Sequence, residues 1–407
     1  MKVGFVNDKY PEQRCIIHKI DDAEYVKSIT REEKPSNLKK FILRVKNGIA
    51  YRLHIKGEGW NLSSTQKQAE FPQEVDVIHL FNSIYAGKEN WCTTFESQTP
   101  VTDDLIGRAW ERNATANGQY KISRFSKRAL KRCAQDSCLG LIALSDSAYH
   151  IQMEMLDKVH ISAKLRDKIK GKVKILHPPQ EVLISAEELE KKFTDLNQIR
   201  FIFVGHAFFL KGGDVLVDVL RELQKEYNIH LTVVSKLFYG DYASAATKEM
   251  QEKYLEILRT EDWIDYYESL PNEIVMEKLK ASHVGCLPTL ADTYGYFVLE
   301  CQAMGCPCIT TDIRALQEIN HNEIGWIVPV KQNNFREAVY GCYSDETKRK
   351  IVASLYDGMR QMCLQIVQHP EQLFEKGQKA IRRIEAQHSK EAYAKRLETI
   401  YTSRVNH

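Results

Sequence analysis

Pro288–Asp312, PTLADTYGYFVLECQAMGCPCITTD, reads as a loop, a helix and a buried strand in succession. Thr293-Tyr294-Gly295 is a small turn that opens an apolar helix, Gly305 stops it, and Cys306-Pro307-Cys308-Ile309-Thr310 is the next strand. Asp292 and Glu300 stand eight residues apart on either side of the turn. With a helix starting near Gly295, Phe297, Glu300, Cys301 and Met304 fall at i, i+3, i+4 and i+7, which sets a carboxylate inside an apolar stripe. A buried charge needs a partner. The uncapped N–H groups of the helix start and the positive end of its dipole face the loop, a setting suited to phosphate. On spacing alone, a Glu300 paired with a neighbouring Lys or Arg and a plain strand-to-helix connection fit equally well.

Upstream, strand Phe201–Val204 runs into the loop Gly205-His206-Ala207-Phe208-Phe209-Leu210-Lys211-Gly212-Gly213, and a helix follows whose Val215, Leu216, Val219, Leu220 and Leu223 share one face. Strand, glycine loop and helix make an anion-binding unit to which Lys211 adds a positive charge, although the loop is neither GxGxxG nor a Walker A sequence. Strands Leu231–Ser235, Trp263–Tyr267 and Val284–Leu287 and the helix Asn272–Ala281 continue the alternation. That pattern implies a doubly wound, mostly parallel α/β sheet whose carboxyl edge holds Gly205, Lys211, Asp292 and Gly295.

The first half reads similarly. Lys2–Val6 is a strand of the kind that begins a Rossmann-like unit, and Phe41–Ile55 alternates around Asn47-Gly48 as a hairpin. Strands Asp76–Phe81 and Trp91–Phe95 end in polar residues, Asn82 and Ser83 after one, Glu96 and Ser97 after the other. A basic helix over about Ser123–Gln135, strand Cys138–Leu144 and strand Lys172–Leu176 follow. His177-Pro178-Pro179 and the acidic stretch Glu187–Lys192 mark a linker, giving domains 1–180 and 181–407. The tail is helical from Asp345. Tyr393, Leu397, Ile400 and Tyr401 recur at helical spacing, so a last helix over about 380–407 is expected to dock, on the first domain by this reading.

A chain of 407 residues has ample length for two or three domains at roughly 100–200 residues each. Its 27% charged and 43% hydrophobic fractions are those of a soluble globular protein. MKVGFVNDKY lacks the apolar run of a signal peptide, and the expected location is cytoplasmic. The ten cysteines show no Cys-x-x-Cys pair and no zinc-like spacing with histidine, as expected of reduced, buried thiols. Net charge is only +3, which argues against nucleic-acid binding. The segment 121–174 nevertheless carries 13 basic against 5 acidic residues. Lys121, Arg124, Lys127, Arg128, Lys131 and Arg132 cluster on its helix, as a surface for an anionic membrane or as an ordinary solvated face.

Taken together, the elements of the second half resemble the family 4 type of retaining glycosyltransferases, of GT-B architecture. Asp292-Thr293-Tyr294-Gly295 and Glu300-Cys301-Gln302-Ala303-Met304-Gly305-Cys306-Pro307 follow that family's E-x-F-G-x4-E-A-M-A-x-G-x-P. Phe203-Val204-Gly205 through Lys211-Gly212 follow its F-x-G-R-L-x3-K-G, and Glu318-Ile319 and Gly325-Trp326-Ile327-Val328 its P-E-I and G-x-L-V. The resemblance is in the right order over roughly 200–330 and looser in the first half, where the usual glycine-rich loop after the first strand is missing.

The resemblance implies two Rossmann-like doubly wound domains facing a central cleft, the first for the acceptor and the second for the donor. It implies transfer of a hexose from a nucleotide-sugar, UDP- or GDP-linked and used as substrate, to a glycan or lipid-linked acceptor in polysaccharide or glycoconjugate synthesis. No cofactor is called for. Glu300 would hold the ribose hydroxyls. Lys211 and the backbone of Thr293, Tyr294 and Gly295 would take the diphosphate, Gly205 and His206 would also belong to the donor-binding set, and Asp292 would bond the donor sugar. No Asp-x-Asp occurs, so no metal is implied, and Lys211 takes that charge role.

Three positions depart from the pattern: Asp292 is one methylene shorter than the family's Glu, His206 replaces an Arg, and Phe95 stands where many relatives carry His. Glu96, next along, is the candidate acceptor-side base. These departures keep open a non-catalytic nucleotide-sugar binding or scaffold protein; a nucleotide-sugar epimerase is a further rival without a matching motif.

Overall fold

The structure is a computed structural model that describes residues 1–29, 66–67, 69–102, 104–105, 119–339 and 343–403. The hairpin expected over Phe41–Ile55 lies outside the described residues. Two units form, one of Met1–Pro179 with Lys390–His407 and one of Gln180–Ser389.

In the first unit, β1 (Lys2–Phe5), β2 (Glu24–Lys27), β4 (Val77–Phe81), β6 (Trp91–Phe95), β7 (Cys138–Ala143) and β8 (Val173–Ile175) make one sheet in the order β2-β1-β4-β6-β7-β8. Every pairing in it is parallel. A short parallel pair, β3 (Gln66–Lys67) with β5 (Ile84–Tyr85), stands apart from it. Such sheets carry near-continuous apolar runs because both faces are covered. WCTTF of β6 is buried at all five positions, its two threonines included.

The helix Lys390–Thr402 lays Tyr393, Leu397 and Tyr401 into a core with Val3, Val77, Ile142 and Leu176 of this same unit. Each such burial contributes about 1.5–3 kcal/mol. Polar tips add direction: Tyr393 donates to the Cys15 carbonyl at 2.6 Å, and the Tyr401 hydroxyl meets Nδ1 of buried His79 at 2.6 Å. The second unit therefore ends at Ser389 instead of running to 407, and residues 380–387 belong to a separate helix, Gln372–Gln387.

In the second unit, β9 (Ile199–Gly205), β10 (Ile229–Ser235), β11 (Ile264–Tyr267), β12 (Val284–Leu287), β13 (Cys308–Thr311) and β14 (Trp326–Val328) form the order β11-β10-β9-β12-β13-β14, again parallel throughout. In chain order that is 3-2-1-4-5-6, the Rossmann arrangement. Glu187–Lys192, read in sequence as linker, is helical. Ser185 and Glu188 close a reciprocal capping box at the start of the helix Ala186–Lys192.

Candidate active site

Chain order fixes where a crevice forms in the second unit. From β9 the chain winds outward to β10 and β11, then returns to β12 on the other side of β9. The loops after β9 and β12 leave the sheet in opposite directions, and a crevice opens between them at the carboxyl ends of the strands.

The loop after β9 is held by aromatic anchors. Phe208 and Phe209 are fully buried, with Phe208 packing 5.8 Å from both Phe203 and Tyr254 between ring centroids. Turn bonds Lys211 N to Ala207 O (3.0 Å) and Gly213 N to Phe208 O (2.8 Å) tighten it. Gly212 is left-handed at φ +75°, and a Cβ there would stand 2.1 Å from the Pro288 carbonyl oxygen, so only glycine lets the two loops meet. Leu290 N donates to Leu210 O at 3.1 Å across the same seam.

This seam delivers Lys211 to Asp292. Lys211 Nζ donates to Asp292 Oδ2 at 2.6 Å and to the Ala291 carbonyl at 3.1 Å, and Asp292 Oδ1 accepts from Tyr294 N at 3.1 Å. The two side chains are only 19% and 14% exposed, so the pair is far less screened than a surface bridge. The Lys211 stem lies against Gly205, where a Cβ would come within 3.2 Å of Lys211 Cγ.

Gly295 (φ +91°) starts the helix Tyr296–Ala303 with no side-chain cap, and a Cβ there would meet Leu316 at 2.5 Å. Glu300 is 8% exposed on that helix. The stripe read from spacing becomes a helix with every residue from Phe297 to Ala303 buried. It packs against β12, β13 and the helix Gln372–Gln387, which is why Gln302 is also interior, bonded to the Ile319 carbonyl (2.7 Å) and Arg383 (3.1 Å). Tyr294 is buried, while Thr293 is half-exposed. His206 is exposed, with its ring centroid 5.2 Å from that of Phe238.

Glu96 belongs to the first unit, just past β6. Its Oε2 accepts from Asn82 Nδ2 at 3.0 Å and its N–H donates to Asn82 Oδ1 at 3.1 Å; Asn82 takes a left-handed φ of +48° to close this clasp. Phe95 before it is fully buried in that unit's core.

Arg314 and Glu337 escaped the sequence reading. They form an ion pair at 3.0 Å with side chains 5% and 12% exposed. Burial raises the Glu337 carboxyl above its usual range; Arg314 opposes the rise, Asp292 adds to it and Lys211 opposes it. The Tyr242 phenol is raised by burial and then by Glu337; Arg314 opposes the rise, and Asp241 and Asp292 add to it. Nothing in the spacing of Arg314 and Glu337 marks them, since their partnership is tertiary. The signal available was two charged residues amid apolar and small neighbours.

Two Rossmann-like units of parallel strands define the GT-B architecture, and solved structures share it over nearly the whole chain. *Anabaena* Alr3699/HepE in complex with UDP and glucose is 12% identical with a TM-score of 0.55, covering 99% of this chain and all of that one. Sucrose-phosphate synthase from *Thermosynechococcus elongatus* is 13% identical with a TM-score of 0.54, covering 98% of each. Residues 185–354 match the family described as glycosyl transferases group 1. An uncharacterized glycosyltransferase of *Haemophilus influenzae* is 28% identical over 157 residues, 37% of this chain and 40% of that protein. Another, MJ1607 of *Methanocaldococcus jannaschii*, is 20% identical over 156 residues, 38% of each. The chain thus matches about two fifths of the length of these curated relatives.

Proposed function

We propose that the protein is a retaining glycosyltransferase that takes a nucleotide-sugar, UDP- or GDP-linked, and passes the sugar to a glycan or lipid-linked acceptor without a divalent metal. The observation that carries this is the Lys211–Asp292 pair, 2.6 Å apart at the switch point of a Rossmann sheet and beside the uncapped helix start at Gly295. The HepE structure, whose ligands are UDP and glucose, supports a UDP-type donor.

In this reading an arriving diphosphate takes Lys211 from Asp292. Lys211 and the N–H groups at the helix start then stabilise the charge that grows on the leaving nucleoside diphosphate as the sugar–phosphate bond breaks. Asp292, released, accepts a hydrogen bond from a donor-sugar hydroxyl, and Glu300 holds the ribose. Glu96, on the first unit, is assigned as the base that takes the proton of the acceptor hydroxyl as that oxygen bonds the anomeric carbon and the nucleoside diphosphate leaves. The absence of an Asp-x-Asp sequence and the place of Lys211 support the metal-free form.

A membrane-surface acceptor fits the helix Arg124–Cys133. Arg124, Lys127, Arg128 and Lys131 are exposed at i, i+3, i+4 and i+7, while Ser126, Ala129, Leu130 and Cys133 face inward. No helix among the described residues is long and apolar enough to cross a membrane.

The non-catalytic reading draws on the same pair, because Asp292 already has both oxygens engaged. A panel of UDP- and GDP-sugars with acceptor extracts, in the presence of EDTA, separates the two. Nucleoside diphosphate release with retained anomeric configuration by NMR supports transfer, and binding without turnover favours the scaffold.

A further inference from the structure

The buried pair Arg314–Glu337 has no role in the mechanism above. Its position is set by backbone. Leu290 donates its N–H to Leu210 and accepts the Ala338 N–H at 3.2 Å, so the segments that carry Lys211, Asp292 and Glu337 are stitched side by side through one residue. Arg314 N donates to Arg336 O at 2.9 Å, tying the turn after β13 to the same loop. Asn333 Oδ1 accepts from the N–H groups of Phe335 (2.9 Å) and Glu337 (3.1 Å), which closes that loop. Arg314 and Arg336 hold left-handed φ values of +46° and +58°, a conformation non-glycine residues adopt at an energetic penalty. The Arg314 guanidinium also lies 5.4 Å from the Phe335 ring centroid.

A buried ion pair is weak evidence for stability, because the desolvation of both charges offsets their attraction, and apolar replacements often fold as well. Strain and burial kept together beside a ligand site point elsewhere. Lys211 cannot neutralise both Asp292 and an incoming diphosphate. When it turns to phosphate, Asp292 remains half-buried with one N–H bond, from Tyr294. A fixed positive charge nearby then balances the carboxylate as it accepts a hydrogen bond from a sugar hydroxyl.

We propose that Arg314, held in place by Glu337, is a positioning residue of the donor site: it supplies the counter-charge for Asp292 once Lys211 has moved to the diphosphate. This rests on the donor-site reading above. Glu337 lies within the field of all three charges: burial raises its carboxyl, Arg314 and Lys211 oppose the rise and Asp292 adds to it.

The test uses the full chain with Arg314→Lys, Arg314→Gln and the double variant Arg314→Gln/Glu337→Gln, reading kcat, KM for the donor, affinity for UDP or GDP, and the thermal midpoint. Arg314→Gln leaves Glu337 buried without its cation and is expected to melt lower, so it alone decides nothing. The double variant removes both charges and is expected to regain the thermal midpoint while kcat stays reduced at least tenfold, with nucleoside-diphosphate affinity within threefold of wild type. Arg314→Lys is expected to recover part of kcat. A double variant with wild-type kcat, or a loss that appears equally in nucleotide affinity, overturns the proposal. A wild-type protein that neither binds nor turns over any nucleotide-sugar fails the donor-site reading itself, and the two failures are thereby distinct.

Discussion

Lys211 Nζ and Asp292 Oδ2 lie 2.6 Å apart, one from the loop after β9 and the other from the loop after β12. Under the proposed function, each holds the place of a ligand for the other. Lysine occupies the spot where a donor-sugar hydroxyl would reach the acid, and aspartate shields the cation that a diphosphate would claim. Exchange of the pair is the first event of binding in the proposed cycle.

The seam that brings the pair together depends on Gly212. Gly212→Ala places a methyl 2.1 Å from the Pro288 carbonyl in a left-handed conformation, so the loops must part. The expected loss is about 1–3 kcal/mol of stability together with weaker nucleotide binding. Urea unfolding checks the first, and a variant as stable as wild type contradicts the packing described.

Lys192 is a buried lysine with a structural task. Its Nζ donates to the Leu279 carbonyl at 3.2 Å and the Met304 carbonyl at 2.9 Å, at the carboxyl ends of the helices Asn272–Ala281 and Tyr296–Ala303. Burial lowers its pKa. Lys192→Met takes the lysine donor from both carbonyls, of which Leu279 O keeps the Ser282 N–H at 3.2 Å, and is expected to destabilise the second unit by about 1–3 kcal/mol. The helix of Glu300 loosens with it, so nucleotide affinity falls even at temperatures where the variant is folded. Unchanged unfolding midpoints count against this assignment.

Much of this was legible in the sequence where pattern is local. The helix beginning at Gly295, the strands β6 and β12, the helix Asn272–Ala281 and the apolar face after Gly212 follow from periodicity and glycine placement. The edge strand β2, EYVK, was not, because only Val26 is buried and an edge needs little apolar content. The loop after β9 reads as a glycine loop, while the burial of Phe208 and Phe209 that anchors it is tertiary. Arg314, Glu337 and the seam at Leu290 join segments distant in the chain, and no spacing rule reaches them.

Acid should weaken the first unit through His79. It is fully buried between Tyr401 and the Thr94 hydroxyl (2.8 Å), and burial holds its pKa down to about 3. An unfolded histidine titrates near ~6.5, so the unfolded state binds the extra proton first. Stability from this site is complete above about pH 6.5 and is lost as pH falls toward 3, by up to ~1.4 kcal/mol per unit. His283 in the second unit, lowered to about 4 chiefly by burial, acts with the same sign. Asp214, pushed up to about 7 by burial, acts oppositely, with its contribution lost as pH rises from the ordinary aspartate range to 7. The clean comparison is therefore His79→Gln with wild type between pH 7 and 5. The expected result is a shallower fall for the variant, and parallel curves refute it.

The basic face of the helix Arg124–Cys133 gives a binding prediction. At about 1 kcal/mol per charge near an anionic surface, Arg124, Lys127, Arg128 and Lys131 together should carry the protein onto phosphatidylserine-containing vesicles at moderate salt. Changing all four to Gln should abolish pelleting without lowering the melting temperature, since their side chains face outward. No pelleting of the wild type leaves the face as ordinary solvated surface.

The measurement closest to the central claim is calorimetric titration of UDP and GDP into wild type, Lys211→Met and Asp292→Asn. If the two residues stand in for ligands, Lys211→Met binds the nucleoside diphosphate at least tenfold more weakly, the equivalent of about 1.4 kcal/mol, as expected for a lost charged hydrogen bond. Asp292→Asn frees the lysine from its competitor and binds as tightly as wild type or tighter, while sugar transfer falls in both variants. An Asp292→Asn protein that loses nucleotide as severely as Lys211→Met, or a Lys211→Met protein that binds like wild type, contradicts the account.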